Sequence, residues 1–199
     1  AMAANNLAAV HRTRGDMRRA VECYRRALAL DPDAIGVQSN LLASLNYLPE
    51  LSTARLLAEH RRAGERLEAP LRAPRQVHAN PRDPDRRLRI GYVSGDFREH
   101  AMAYSIAPVL AQCDAARFAT VCYANNAGED EVTARLRGLA HEWRSIVGAT
   151  DESVAGLVRR DGIDILVDLS GHTALNRLGV FARRPAPLTH RKNPAVSTV

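Results

Sequence analysis

Apolar positions recur at helical spacing over roughly the first third of the chain and at strand spacing from residue 87 onward. Leu7, Val10 and Arg14 follow a helical period, and Gly15-Asp16 reads as a turn whose aspartate caps the next helix. Ala20, Tyr24 and Ala27 share one face of that second helix, small residues flanking an aromatic one. Asp31-Pro32 ends it, because the residue before a proline is pushed out of the α region. A further helix restarts around Ser52, with Leu56, His60, Ala63 and Leu67 on one face, so His60 reads as a packed histidine. Residues 69–86 hold four prolines and no hydrophobic period, and read as an irregular, partly extended connector.

From residue 87 the grammar changes. RLRIGYVS (87–94) is a strand-like run, 101–113 is helical, and 118–124 is a second strand. A helix over 129–139, a short strand over 143–147 and a helix over 151–160 follow, begun by Thr150 or Asp151. DILVDL (164–169) is a fourth strand, apolar enough to be buried on both faces. Strands alternating with helices at this spacing need parallel crossovers, which predicts a doubly wound α/β sheet. In the common order 3-2-1-4, the reversal falls between the first and fourth strands, and ligands sit beyond the carboxyl ends there. The loops at that point are GDFREH (95–100) and SGHT (170–173), each with a glycine and a histidine. His100, His172, Gly171, Thr173 and Asp96 are therefore the candidate site residues, with Ser94 a turn residue. No GxGxxG, GxxxxGK[ST] or GxSxG motif is present, so the dinucleotide, P-loop and nucleophile-elbow readings fail.

The first 34 residues also resemble one tetratricopeptide unit, with Leu7, Ala8, Gly15, Ala20, Tyr24, Ala27 and Pro32 at its packing positions. Leu41, Leu42 and Leu45 fall 34 residues after Leu7, Ala8 and His11, after which the register decays. Decay of this kind is expected of a terminal, capping unit. One and a half repeats do not bury a continuous core, so this segment is expected to lean on other repeats or on the following domain.

Composition narrows the function classes. The three cysteines are far apart and without CxxC spacing, which argues against a disulfide framework or a zinc site and fits a reducing cytoplasm. No apolar run approaches a membrane span, and the first residues do not have the form of a secretory signal. The formal charge is +6, almost all of it arginine, but the arginines are scattered and aromatics make up only 5%. A solvated surface is expected rather than a nucleic-acid partner, which would want stacking platforms.

IGYVSGDFREHAMAYSIAPVL (90–110) and DGIDILVDLSGHTALNRLGVFARRPAP (161–187) resemble two blocks of the amino-terminal catalytic lobe of O-GlcNAc transferases and SPINDLY-like glycosyltransferases. SNLLASLNYLPELSTARLLAEHRR (39–62) is similar to the join between repeats and catalytic domain in bacterial members. The resemblance implies an α-helical TPR segment followed by α/β, the first Rossmann-like half of a GT-B glycosyltransferase. It divides the chain into repeats over 1–68, the connector over 69–86, the catalytic lobe over 87–188 and a divergent polar tail over 189–199. It implies inverting, metal-independent transfer from a nucleotide-sugar donor, UDP-GlcNAc or another, to serine or threonine of an acceptor protein, with no cofactor. Protein partners would use the TPR groove.

His100 matches the histidine of the family's YVSxDFxxH motif. The resemblance leaves it two roles, base toward the acceptor hydroxyl or positioning residue, and an imidazole suits either near neutral pH. His172, in the GHT segment, would line the cleft or bond to its own loop, and Asp96 would be a turn and capping residue. After Leu188 the family continues into a second lobe that holds most of the nucleotide, whereas this sequence turns polar. The expectation is that the isolated chain is inactive. The alternative is an interaction module with a remnant half-sheet. The blocks do not separate GlcNAc from fucose as the transferred sugar.

Overall fold

The structure, a computed structural model, describes residues 1–71 and 78–190. Residues 72–77 of the expected connector and 191–199 of the expected tail lie outside the described residues. The chain divides into two compact units, one built on Ala1–Pro70 together with His172–Ala174, the other on Leu71–Gly171 and the residues from Leu175.

The helical unit contains α1 (Met2–Thr13), α2 (Met17–Leu30), α3 (Ile35–Leu45) and α4 (Thr53–Glu68). Its boundaries follow local chemistry. Gly15 takes φ +81°, where a side chain would be strained, and lets the chain turn between α1 and α2. Asp16 then caps α2, accepting from the Arg19 N–H at 3.1 Å, and Ser52 caps α4, accepting from the Arg55 N–H. Ala8, Ala20, Val21, Tyr24, Leu41, Leu42, Leu45 and Ala63 form the core. Tyr24 is fully buried between small residues, as its spacing from Ala20 and Ala27 predicts. Leu7 differs from the expectation of a packed position, being 50% exposed. Helix α1 packs chiefly on α2, so only Ala8 on that flank is buried.

The sheet unit contains β1 (Leu88–Ser94), α5 (Ala101–Ala111), β2 (Phe118–Ala124), α6 (Glu131–Leu139), β3 (Glu142–Ser145), α7 (Asp151–Arg160), β4 (Ile165–Asp168), α8 (Leu178–Ala182) and β5 (Leu188–His190). The strands are all parallel in the order β3-β2-β1-β4-β5. The expected 3-2-1-4 order is present, so β1 and β4 adjoin at the reversal. Alternate residues of the central strands feed two cores. Tyr92 and Cys122 pack with Phe97, Ile106, Leu110 and Leu136 toward α5 and α6. Val93, Val121 and Tyr123 pack with Val154, Val158 and Phe181 toward α7 and α8. Cys122 is a buried small hydrophobe whose thiol burial pushes up to about 12.

Two strands differ from the sequence expectation. In β4, Leu166 and Asp168 are buried while Ile165 and Val167 are half-buried, so one face is less fully covered than the apolar run suggests. Thr189 and His190, expected in a divergent tail, pair with Leu166 and Val167 as part of β5. An edge strand needs only backbone hydrogen bonds on one side, so a segment with two of its three residues exposed still forms it. Asp164, just before β4, fastens the segment leading into β1. It accepts from Asn80 Nδ2 at 2.6 Å, from Arg86 Nη1 at 2.7 Å and from the Arg89 N–H at 2.8 Å. Burial pushes its carboxyl up, but these donors outweigh it and the net direction is down.

Candidate active site at the carboxyl edge of the sheet

The loop after β1 is held in place by its neighbours in the fold. Ser94 Oγ accepts from the Asp96 N–H at 2.9 Å, the turn role its position suggests. Phe97 is fully buried, stacks at a tilt on Trp143, and its carbonyl accepts from Thr133 Oγ1 at 2.8 Å. The Glu99 N–H donates to Asp130 Oδ2 at 2.7 Å. Asp130 and Thr133 also form a capping box at the start of α6, so one aspartate serves a helix end and the neighbouring loop. The Glu99 N–H and then that of Thr133 hold the Asp130 carboxyl below the usual range.

His100 is the N-cap of α5, its Nδ1 accepting from the Met102 N–H at 3.2 Å. That bond uses the Nδ1 lone pair, so the neutral ring carries its hydrogen on Nε2 and presents a donor. Asp96 Oδ2 lies 4.0 Å from His100 Nδ1, beyond hydrogen-bond reach, and Asp96 Oδ1 lies 3.5 Å from Arg98 Nη2. Asp96 is 8% exposed while the His100 side chain is 43% exposed, so the ring opens to solvent above an almost covered carboxylate.

The loop after β4 meets the loop after β1 where the topology requires. Ser170 Oγ accepts from the Gly95 N–H at 3.3 Å. Asp168, buried at the end of β4, accepts from the N–H groups of Ser170 and Gly171, both at 2.9 Å. Gly171 takes φ +61° at this turn. Of the predicted residues, Asp96 and His100 thus face one another in one loop, and Gly171 belongs to the loop bonded to it. His172 is placed otherwise. It belongs to the helical unit, where its Nδ1 lies 3.3 Å from Ser39 Oγ and its ring 5.2 Å from that of His60. Burial, reinforced by the His60 charge, lowers its pKa to about 4. Thr173 is exposed.

Sequence reasoning missed Arg177. Its guanidinium donates to Asn125 Oδ1 and the Ile146 carbonyl, both at 2.8 Å, to the Ala149 carbonyl at 2.9 Å, and to Asp151 Oδ1 at 3.1 Å. One side chain thereby ties together the loops after β2 and β3. Asn125 in turn donates to the Leu175 carbonyl at 2.8 Å. Two asparagines directly after a predicted strand were the available signal. Asn126 Oδ1 is buried and has no hydrogen-bond partner among the described residues. Among the described residues, no three His, Cys, Asp or Glu side chains gather as a metal site, and no helix is long and apolar enough to cross a membrane.

Residues 61–192 match the profile of glycosyl transferase family 41, and residues 1–34 match the tetratricopeptide repeat. The chain belongs to glycosyl transferase family 41. A rice (Oryza sativa subsp. japonica) protein described as a probable UDP-N-acetylglucosamine–peptide N-acetylglucosaminyltransferase SPINDLY is 39% identical over 172 residues, which cover 84% of this chain and 18% of the rice protein. The Arabidopsis thaliana SPINDLY protein is 37% identical over 163 residues, covering 80% of this chain and 18% of its own length. A mutant of the Thermobaculum terrenum O-GlcNAc transferase superposes with a TM-score of 0.87 at 39% identity, over 94% of this chain and 36% of the other. The chain therefore spans about a fifth to a third of the relatives it matches. The helical segment and the parallel sheet are the fold of a family 41 transferase's repeat end and first catalytic lobe.

Proposed function

We propose that the carboxyl edge of this sheet is half of the active site of a family 41 protein O-glycosyltransferase, moving GlcNAc from UDP-GlcNAc to serine or threonine hydroxyls. The observation that supports this best is the His100 loop, tied to the β4 loop at the strand-order reversal and clamped by Asp130 and Thr133. In the transfer, the acceptor hydroxyl oxygen bonds to the anomeric carbon as the bond to the UDP oxygen breaks, and the hydroxyl proton leaves to a base. With its Nδ1 lone pair already engaged, His100 acts as a positioning donor, its Nε2–H aimed at a substrate oxygen, rather than as that base. Asp96 and Gly171 are the remaining candidates for lining the site, whereas Thr173, like His172, belongs to the helical unit. The tetratricopeptide segment serves protein partners, and the setting that suits reduced cysteines is the cytoplasm.

The test is a chimaera in which this chain replaces the matching segment of the Thermobaculum terrenum enzyme, assayed for transfer of labelled GlcNAc to a protein acceptor. The folded chimaera is expected to turn over, and His100→Ala to lower kcat/KM by about a hundredfold, the scale of one positioned catalytic group. A folded chimaera without turnover, or one indifferent to His100→Ala, contradicts the reading.

A further inference from the structure

The helical unit carries a groove of about 370 Å³ between α2 and α4, with α3 beneath it. Helix α1 lines none of it. Leu28, Leu41 and Ala63 make an apolar floor, and Arg25, Arg62 and Arg66 stand along the rim. Glu59 is the acid among the lining residues, and it lies 3.8 Å from Arg25 and 3.9 Å from Arg62, so two guanidiniums share one carboxylate at long range. Arg66, one turn beyond Arg62 on α4, is exposed. Three arginines and one glutamate give the lining residues a net charge of +2 over an apolar slot.

Guanidinium forks match carboxylates two hydrogen bonds at a time, and the slot beside them accepts an aliphatic side chain. No lining residue is aromatic, so the groove offers nothing for bases to stack on. The chain's own continuation after this unit does not match it by charge, since residues 72–77 contain Arg72 and Arg75 and no acid. We propose that this groove binds an acidic peptide segment of a partner protein, carboxylates on Arg25, Arg62 and Arg66 and a leucine-like side chain on Leu28, Leu41 and Ala63. This deepens the reading that the tetratricopeptide segment serves protein partners, and does not depend on the transfer reaction.

Fluorescence anisotropy with a fluorescein-labelled peptide of Glu-Glu-Leu repeats tests the proposal on the whole chain, beside Lys-Lys-Leu and Glu-Glu-Ser peptides of equal length. The Glu-Glu-Leu peptide is expected to bind, more weakly as salt rises, and each of the other two to bind at least about threefold less tightly. Arg62→Glu with Arg66→Glu is expected to weaken it by about tenfold or more, whereas Arg18→Glu, on α2 but outside the groove, leaves it unchanged. The reversed residues are exposed, and circular dichroism confirms that the variants keep their helices. Equal binding of the three peptides, binding indifferent to the double reversal, or no binding overturns the proposal. So does self-association of the chain that the same reversals abolish, which would make a second copy the occupant.

Discussion

Substituting His172 with glutamine should flatten the acid dependence of stability. In the fold, burial and then the charge of His60 hold the His172 pKa at about 4, against an ordinary value of 6.5. His60 is itself lowered by burial, with the nearby Glu59 charge opposing it. Between pH 6.5 and 4 the unfolded chain therefore binds more protons at residue 172 than the folded chain does. Stability from this group is complete above about pH 6.5 and drains away as pH falls toward 4. Integrating the two titrations from pH 7 to 4.5 gives a loss of about 2 kcal/mol from this one residue. Glutamine keeps a hydrogen-bonding end near Ser39 but takes no proton. Carboxylates held low in the fold, such as Asp164 and Glu142, drain stability mainly at lower pH and equally in both proteins. Urea titrations followed by far-ultraviolet circular dichroism at pH 7 and pH 4.5 measure the difference. The wild-type penalty on acidification should exceed that of His172→Gln by about 2 kcal/mol. Equal penalties would mean that the His172 ring is not held neutral by its surroundings.

Two further predictions concern the backbone around the site. Leu175 is half exposed with φ 61°, a conformation that costs a side chain about 1 kcal/mol, so Leu175→Gly should stabilise the chain by about 0.5 to 1 kcal/mol in urea titration. A loss of stability there would show that the leucine side chain contributes more than its conformation costs. In the middle of β1, a Cβ on Gly91 would meet Leu166 Cδ1 at 2.8 Å and Tyr123 at 3.0 Å. Gly91→Ala should therefore destabilise by about 1 to 3 kcal/mol, and a neutral result would mean that this core yields readily.

Much of this architecture is legible in the sequence because it rests on local signals. Asp16, Ser52 and Thr150 announce their helices by capping, and the alternation around Tyr92, Val93, Cys122 and Tyr123 announces strands covered on two faces. His100 at the end of the first loop was within reach for the same reason, since a cap is a bond to a residue two positions away. The strand at 188–190 was not, because an edge strand is made by backbone pairing that leaves little mark on side chains. His172 escaped for the opposite reason. Its surroundings are Ser39 and His60, more than a hundred residues earlier, and no local pattern encodes that packing. Arg177 spends two of its four hydrogen bonds on carbonyls, which every sequence has, so only the folded chain reveals it.

Capping α5 engages the His100 Nδ1 lone pair, which leaves Nε2 to carry the hydrogen of the neutral ring. Nitrogen-15 spectra of the histidine side chains, with His100 assigned by its disappearance in His100→Asn, report which ring nitrogen carries the proton. Above neutral pH the account predicts a bare Nδ1 and a protonated Nε2. A ring protonated on Nδ1 with Nε2 bare would contradict it and return His100 to the role of base.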